Sequence, residues 1–137
     1  MLGKRKVRKT ILELIFGYEF NKDESAIEYY NRAYDNFICE DDEEESVKNG
    51  FLTVCENIEM IDETISKYLN GWKITRLSKV TLSILRISVC EMLVNKLHPA
   101  ISINEAVELA KQYAEDGSAS YINGVLNNIS KSVNENE

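Results

Sequence analysis

An all-α fold is predicted by three features of this 137-residue chain. It has a single proline and six glycines, so proline falls far below an average usage of about 5% and the strongest helix breaker is nearly missing. Its apolar residues recur at intervals of three and four, the period of helices with one buried face. One stretch, residues 76–94, is apolar nearly all round and reads as a helix buried in the middle of the molecule. About six helices around that central one, in a single domain over residues 1–137, is the architecture implied, since the length suits one domain of ordinary size.

The first helix is expected over Lys4–Phe20, where Val7, Ile11, Leu14, Ile15 and Tyr18 form an amphipathic stripe. A second is expected over Asp23–Ile38, with Ile27, Tyr30, Tyr34 and Phe37 on one face. Residues 39–46 contain six consecutive acidic groups, Glu40 to Glu45. Such a self-repelling block is expected to be a solvated acidic loop. Ser46 then opens a long helix whose face is Phe51, Val54, Ile58, Ile61, Ile65 and Leu69. Gly71 punctuates the chain, Trp72 and Ile74 are expected to pack the connection, and Thr75 to cap the central helix Arg76–Val94. After Pro99, Ser102-Ile103-Asn104-Glu105 has the form of a capping box for a helix running through Tyr113. Gly117 is expected to end that helix, and Ser118 to cap a last one containing Tyr121, Ile122, Val125, Leu126 and Ile129. The tail from Asn134 onward is polar and expected to fray.

The charge is unevenly placed. The formal net charge is −7, yet Lys4, Arg5, Lys6, Arg8 and Lys9 put five of sixteen basic residues in the first ten positions, with no acidic residue among them. A basic arm over residues 1–9 on an acidic body suits one strand of phosphates and disfavours indiscriminate coating of nucleic acid. Positive charge at a helix N-terminus also opposes the macrodipole, at up to about 1 kcal/mol per group. That local conflict points to a functional arm.

Other chemistry is missing. His98 is the only histidine and sits beside Pro99 without a nucleophile in suggestive spacing; it reads as a surface or packing residue. Phosphate-binding glycine loops, HExxH and CxxC are all absent. Cys39, Cys55 and Cys90 fit neither a disulfide framework nor a zinc site, and free thiols suit the reducing cytoplasm. No apolar run of 18 or more residues suggests a membrane span. Neither an enzyme nor a cofactor is expected. Arg86, in the middle of the apolar helix, needs a carboxylate partner, for which Glu91 and Glu105 are the candidates.

Three segments carry a resemblance. Leu85-Arg86-Ile87-Ser88-Val89-Cys90-Glu91-Met92, Ser102-Ile103-Asn104-Glu105-Ala106-Val107-Glu108-Leu109-Ala110-Lys111 and Tyr121-Ile122-Asn123-Gly124-Val125-Leu126-Asn127 resemble, in this order, the LRIAxYEL, INEAxELAK and FVNGVLD motifs of the NusB transcription antitermination family. The likeness extends over essentially the whole chain. It implies six to seven helices in two small bundles packed across each other. It further implies binding of a single-stranded boxA RNA element of ribosomal-RNA leader transcripts, as a heterodimer with the small-subunit ribosomal protein NusE, within an RNA polymerase antitermination complex.

Carried over by position, the resemblance assigns phosphate contacts to Lys4, Arg5, Lys6 and Arg8, a base-stacking ring to Tyr121, and further RNA contacts to Lys111, Gly117 and Ser118. Two of the four arm residues are Lys, which lack the bidentate fork of Arg. Many relatives have Asp at the Gly117 position, so its absence removes a like-charge repulsion and implies tighter, less selective RNA binding. For NusE the resemblance points to exposed positions at Phe16, where relatives often have Tyr, and Thr81, where some have Glu. Asn104, Glu105, Asn123 and Gly124 are expected to serve as caps and as close packing between the last two helices. Some family members form homodimers that cover the RNA-binding face, which leaves a homodimer open here. The alternative function is a helical interaction module or homodimeric scaffold without RNA-binding activity, its basic arm merely solvated.

Overall fold

The structure, a computed structural model, describes the backbone of residues 2–34 and 41–135 and the side chains of residues 5–34 and 43–133. Among the described residues there are seven α-helices, and the chain divides into two compact units, residues 1–56 and 57–137.

The first unit holds α1 (Leu2–Tyr18), α2 (Ala26–Ala33) and α3 (Asp41–Glu56). Its core is the stripe foreseen on α1, with Ile11, Leu14 and Ile15 buried, closed by Tyr29 and Tyr30 of α2 and Val47, Phe51 and Val54 of α3. Phe51 is wholly buried and lies 5.8 Å from the Tyr18 ring and 6.1 Å from both Tyr29 and Tyr30. Two glycines let these helices close up. A Cβ on Gly17 would meet the Tyr29 hydroxyl, and one on Gly50 would meet the end of the Ile11 side chain. Ser25 caps α2, its hydroxyl accepting from the Glu28 N–H at 3.3 Å.

Here the chain departs from two expectations. Residues 41–45 are not loop but the opening turns of α3, because acidic groups at a helix N-terminus are stabilised by the macrodipole and offset their mutual repulsion. The remainder of the predicted loop, at Cys39 and Glu40, and the end of the predicted second helix lie outside the described residues. The long helix expected from Ser46 to Leu69 is broken at Asn57 (φ −109°, ψ 15°), where α4 (Ile58–Ser66) begins. Its apolar period runs through the break, so periodicity alone could not place it.

The second unit holds α4, a 3-10 turn (Ile74–Arg76), α5 (Lys79–Leu93), α6 (Pro99–Tyr113) and α7 (Ser118–Glu135). As its composition required, α5 is the central helix of this unit. It packs on α4, α6 and α7, and every residue from Thr81 to Cys90 is buried. Polar groups caught in that interior are paired. Arg86 reaches Asp62 of α4, a carboxylate not foreseen, donating from Nε and one Nη at 2.8 Å each. Glu91 accepts from the Ser102 hydroxyl at 2.8 Å, and the Ser88 and Ser102 hydroxyls lie 2.7 Å apart.

Two caps and one connecting residue fall elsewhere than foreseen. Thr75 is inside the 3-10 turn, and Ser78 caps α5 by accepting from the Thr81 N–H at 3.1 Å. Ser102 is buried within α6, which starts three residues earlier with Pro99 at its first position and the His98 side chain as cap. Trp72, expected to pack the connection, is 61% exposed, beside Asn70 and Gly71 in left-handed conformation (φ 52° and 89°).

Candidate nucleic-acid interface

In the first unit the basic arm is the first two turns of α1, which has no acidic residue in its opening turn. Arg5, Lys6 and Lys9 are exposed and Arg8 is half-buried, while the Lys4 side chain lies outside the described residues. The helix spaces these cations around its surface, and the buried Thr10 donates to the Lys6 backbone carbonyl one turn back at 3.0 Å. One interaction was not foreseen. The Lys6 Nζ lies 3.9 Å from Oε1 of Glu43, so the acidic turn of α3 reaches the arm. The other oxygen of that carboxylate is buried and accepts no hydrogen bond among the described residues.

In the second unit the corner between α6 and α7 gathers the remaining RNA candidates. Lys111, in the last turn of α6, is exposed, with its ammonium 3.5 Å from Glu108. Gly117 is exposed and left-handed (φ 89°), and a Cβ there would meet nothing within 4 Å. The backbone therefore selects glycine and open space surrounds it. Ser118 starts α7, but its N–H is already given to the Glu115 carbonyl at 3.0 Å, and that of Tyr121 to Gly117 at 3.2 Å. Tyr121 is half-buried with its hydroxyl turned inward. That oxygen has no hydrogen-bond partner among the described residues, and burial raises its pKa above the ordinary 10.0. What Tyr121 shows to solvent is therefore ring and not hydroxyl.

The two NusE candidates fare differently. Phe16 is half-buried and meets Phe20 edge-on, ring centroids 5.2 Å apart; Phe20 is 62% exposed. Phe20, expected as the last residue of the first helix and given no role there, lies in the turn just beyond α1, which ends at Tyr18. Thr81 is only 5% exposed, so the surface position expected for it is corrected. It sits in the first turn of the buried helix, where Lys79 remains exposed. Asn123 and Gly124 are likewise not close packing between helices. Both are exposed, a Cβ on Gly124 would meet nothing within 4 Å, and Asn123 accepts from the Asn127 amide through its carbonyl at 2.8 Å. Asn104 is exposed and mid-helix, and caps nothing.

These features define an all-helical protein of two small units with a cationic leading helix and a glycine corner on the second unit. The profile of the NusB family matches residues 5–131, and the chain belongs to that family. It is 39% identical over 131 residues to the transcription antitermination protein NusB of Acetivibrio thermocellus, covering 95% of this chain and 90% of that one. It is 41% identical over 135 residues to its counterpart in Clostridium perfringens, covering 96% and 99%. Among solved structures it is similar to the antitermination factors NusB and NusE in complex with double-stranded RNA, with a TM-score of 0.84, 28% identity and coverage of 96% of this chain and 98% of that one. No helix among the described residues is long and apolar enough to cross a membrane.

Proposed function

We propose that this chain is a transcription antitermination factor of the cytoplasm that binds the single-stranded boxA element of ribosomal-RNA leader transcripts as a heterodimer with NusE, joins RNA polymerase in that state, and catalyses no reaction. The observation that carries this reading is the concentration of cations on the first turns of α1 in a chain whose net charge is −7. In the proposal Lys4, Arg5, Lys6 and Arg8 hold phosphates. The exposed ring of Tyr121 stacks on a base, an interaction worth about 1–3 kcal/mol. Lys111, Gly117 and Ser118 flank that base, and Gly117 leaves the close approach of a sugar-phosphate unobstructed. Phe16, with Phe20 beside it, supplies an apolar contact to NusE. The relatives' names support the antitermination role, and the NusB–NusE complex with double-stranded RNA supports association with RNA and NusE.

The test is fluorescence anisotropy of a labelled boxA RNA titrated with the protein, alone and with NusE, at two salt concentrations. A scrambled strand and a duplex of the same sequence serve as competitors. Three to five phosphate contacts give a log–log salt slope of about −2 to −3.5 on a single strand. Substituting Lys4, Arg5 and Lys6 by Glu should abolish binding and leave helicity intact. Salt-insensitive binding, or equal preference for the scrambled strand, would defeat the proposal.

A further inference from the structure

A cleft of about 270 Å³ opens in the second unit, lined by none of the residues assigned to RNA above. Met92, Leu97, Pro99 and Val133 give it apolar walls, and its polar lining is Lys96, His98 and Ser130, with no carboxylate. In a chain with 23 acidic residues, all three polar side chains of that lining can donate a hydrogen bond. The His98 Nδ1 accepts from the Ala100 N–H at 3.2 Å, which leaves the ring proton on Nε2 as a donor. Ser130 is 9% exposed and its hydroxyl has no hydrogen-bond partner among the described residues. The residue lines the cleft, so its hydroxyl is available to donate to a molecule bound there. Lys96 holds the left-handed conformation (φ 58°), which favours glycine and which a long side chain adopts at a cost. The positive end of the α6 dipole, at Pro99, borders the same space.

We infer that this cleft binds a carboxylate carrying a short branched aliphatic chain, the carboxylate on Lys96, His98 and Ser130 and the chain against Met92, Leu97 and Val133. Its volume lies just below the range for small-molecule sites, about 300–1,000 Å³, and suits a ligand of few atoms. The same chemistry occurs in a free acid such as 4-methylpentanoate and in a leucine at the C-terminus of another protein.

The experiment follows backbone amide shifts of the ¹⁵N-labelled full chain during titration with three probes: 4-methylpentanoate, N-acetyl-Gly-Leu, and the C-terminal amide of that dipeptide. Saturable shifts at Lys96, Leu97, His98 and Ser130 are expected, with a Kd on the order of 1 mM for so few atoms. The amide should bind about tenfold more weakly than the acid. Lys96→Gly removes the ammonium and puts the residue that this backbone favours in its place, so the fold is kept while acid binding weakens. Ser130→Ala tests the hydroxyl independently. If both acids bind, the site takes the free molecule; if the dipeptide alone binds, it takes a chain terminus; either supports the inference. No saturable shift, shifts elsewhere, an amide equal to the acid, or binding unchanged in both variants would overturn it.

Discussion

The guanidinium of Arg86 and the carboxylate of Asp62 are joined by two parallel hydrogen bonds of 2.8 Å, one helix to the next inside the second unit. The Arg86 side chain is 5% exposed and that of Asp62 30%. The pair answers the question of how a charge survives in the middle of α5. Removing only the carboxylate, in Asp62→Ala, takes two charge-assisted hydrogen bonds from a buried cation and should cost about 1.5–3 kcal/mol in urea unfolding. Replacing both groups by apolar ones, Arg86→Met with Asp62→Leu, should cost less, because neither half of the pair is left without the other.

Tyr121 has the opposite problem, a buried hydroxyl with nothing to bind. Tyr121→Phe removes it while keeping the ring. Stability should be unchanged or rise by about 1 kcal/mol, since an unsatisfied buried polar group carries a desolvation penalty of that order. In the anisotropy assay the same variant should keep its RNA affinity, whereas Tyr121→Ala should lose about 1–3 kcal/mol of it.

Alkaline pH should destabilise the chain through Cys90. Burial, with a smaller contribution from Glu91, pushes this thiol from an ordinary 9.0 to about 11. Above pH 9 the unfolded thiol gives up its proton first, so the unfolded state is favoured as pH rises towards about 11. Stability present below pH 9 then falls by on the order of 2 kcal/mol. Chemical denaturation from pH 8 to 11 should show this loss, and Cys90→Ala should flatten it.

Gly117→Asp should act on both fold and binding. A side chain at φ 89° costs up to about 1 kcal/mol even for a residue as tolerant of that region as Asp. The added charge repels phosphate at the α6–α7 corner, so RNA affinity should fall while the salt slope set by the arm remains. Gly117→Asn separates the two effects, with the same strain and no charge.

The helices were legible where one pattern dominated. The stripe on α1 and the unbroken apolarity of α5 each left one physical solution, and the family motifs, all in the second unit, pointed to the rest. Boundaries were not legible where two signals competed. Thr75 and Ser78 are both acceptable caps, and only the 3-10 turn at Ile74–Arg76 decides between them. Ser102 and Glu105 spell a capping box, yet Pro99 and His98 start the helix first and leave Ser102 to bond Glu91. The partner of Arg86 lies 24 residues away on another helix, a distance over which spacing carries no information. Of the site, the cations of the arm were plain from charge alone. The inward hydroxyl of Tyr121, the burial of Thr81 and the reach of Glu43 depend on packing.

The contact between Lys6 and Glu43 gives the arm a resident anion. Under the proposed function a strand of RNA would enter by exchange: its phosphate would take the place of a carboxylate whose side chain is 13% exposed and whose second oxygen is already without a partner among the described residues. Displaced, that carboxylate must turn to water or stay uncompensated. A weak or fleeting polyanion would gain too little to dislodge it, so in that reading the acidic turn of α3 would act as a threshold, muting the background attraction of a cationic helix for every nucleic acid it meets.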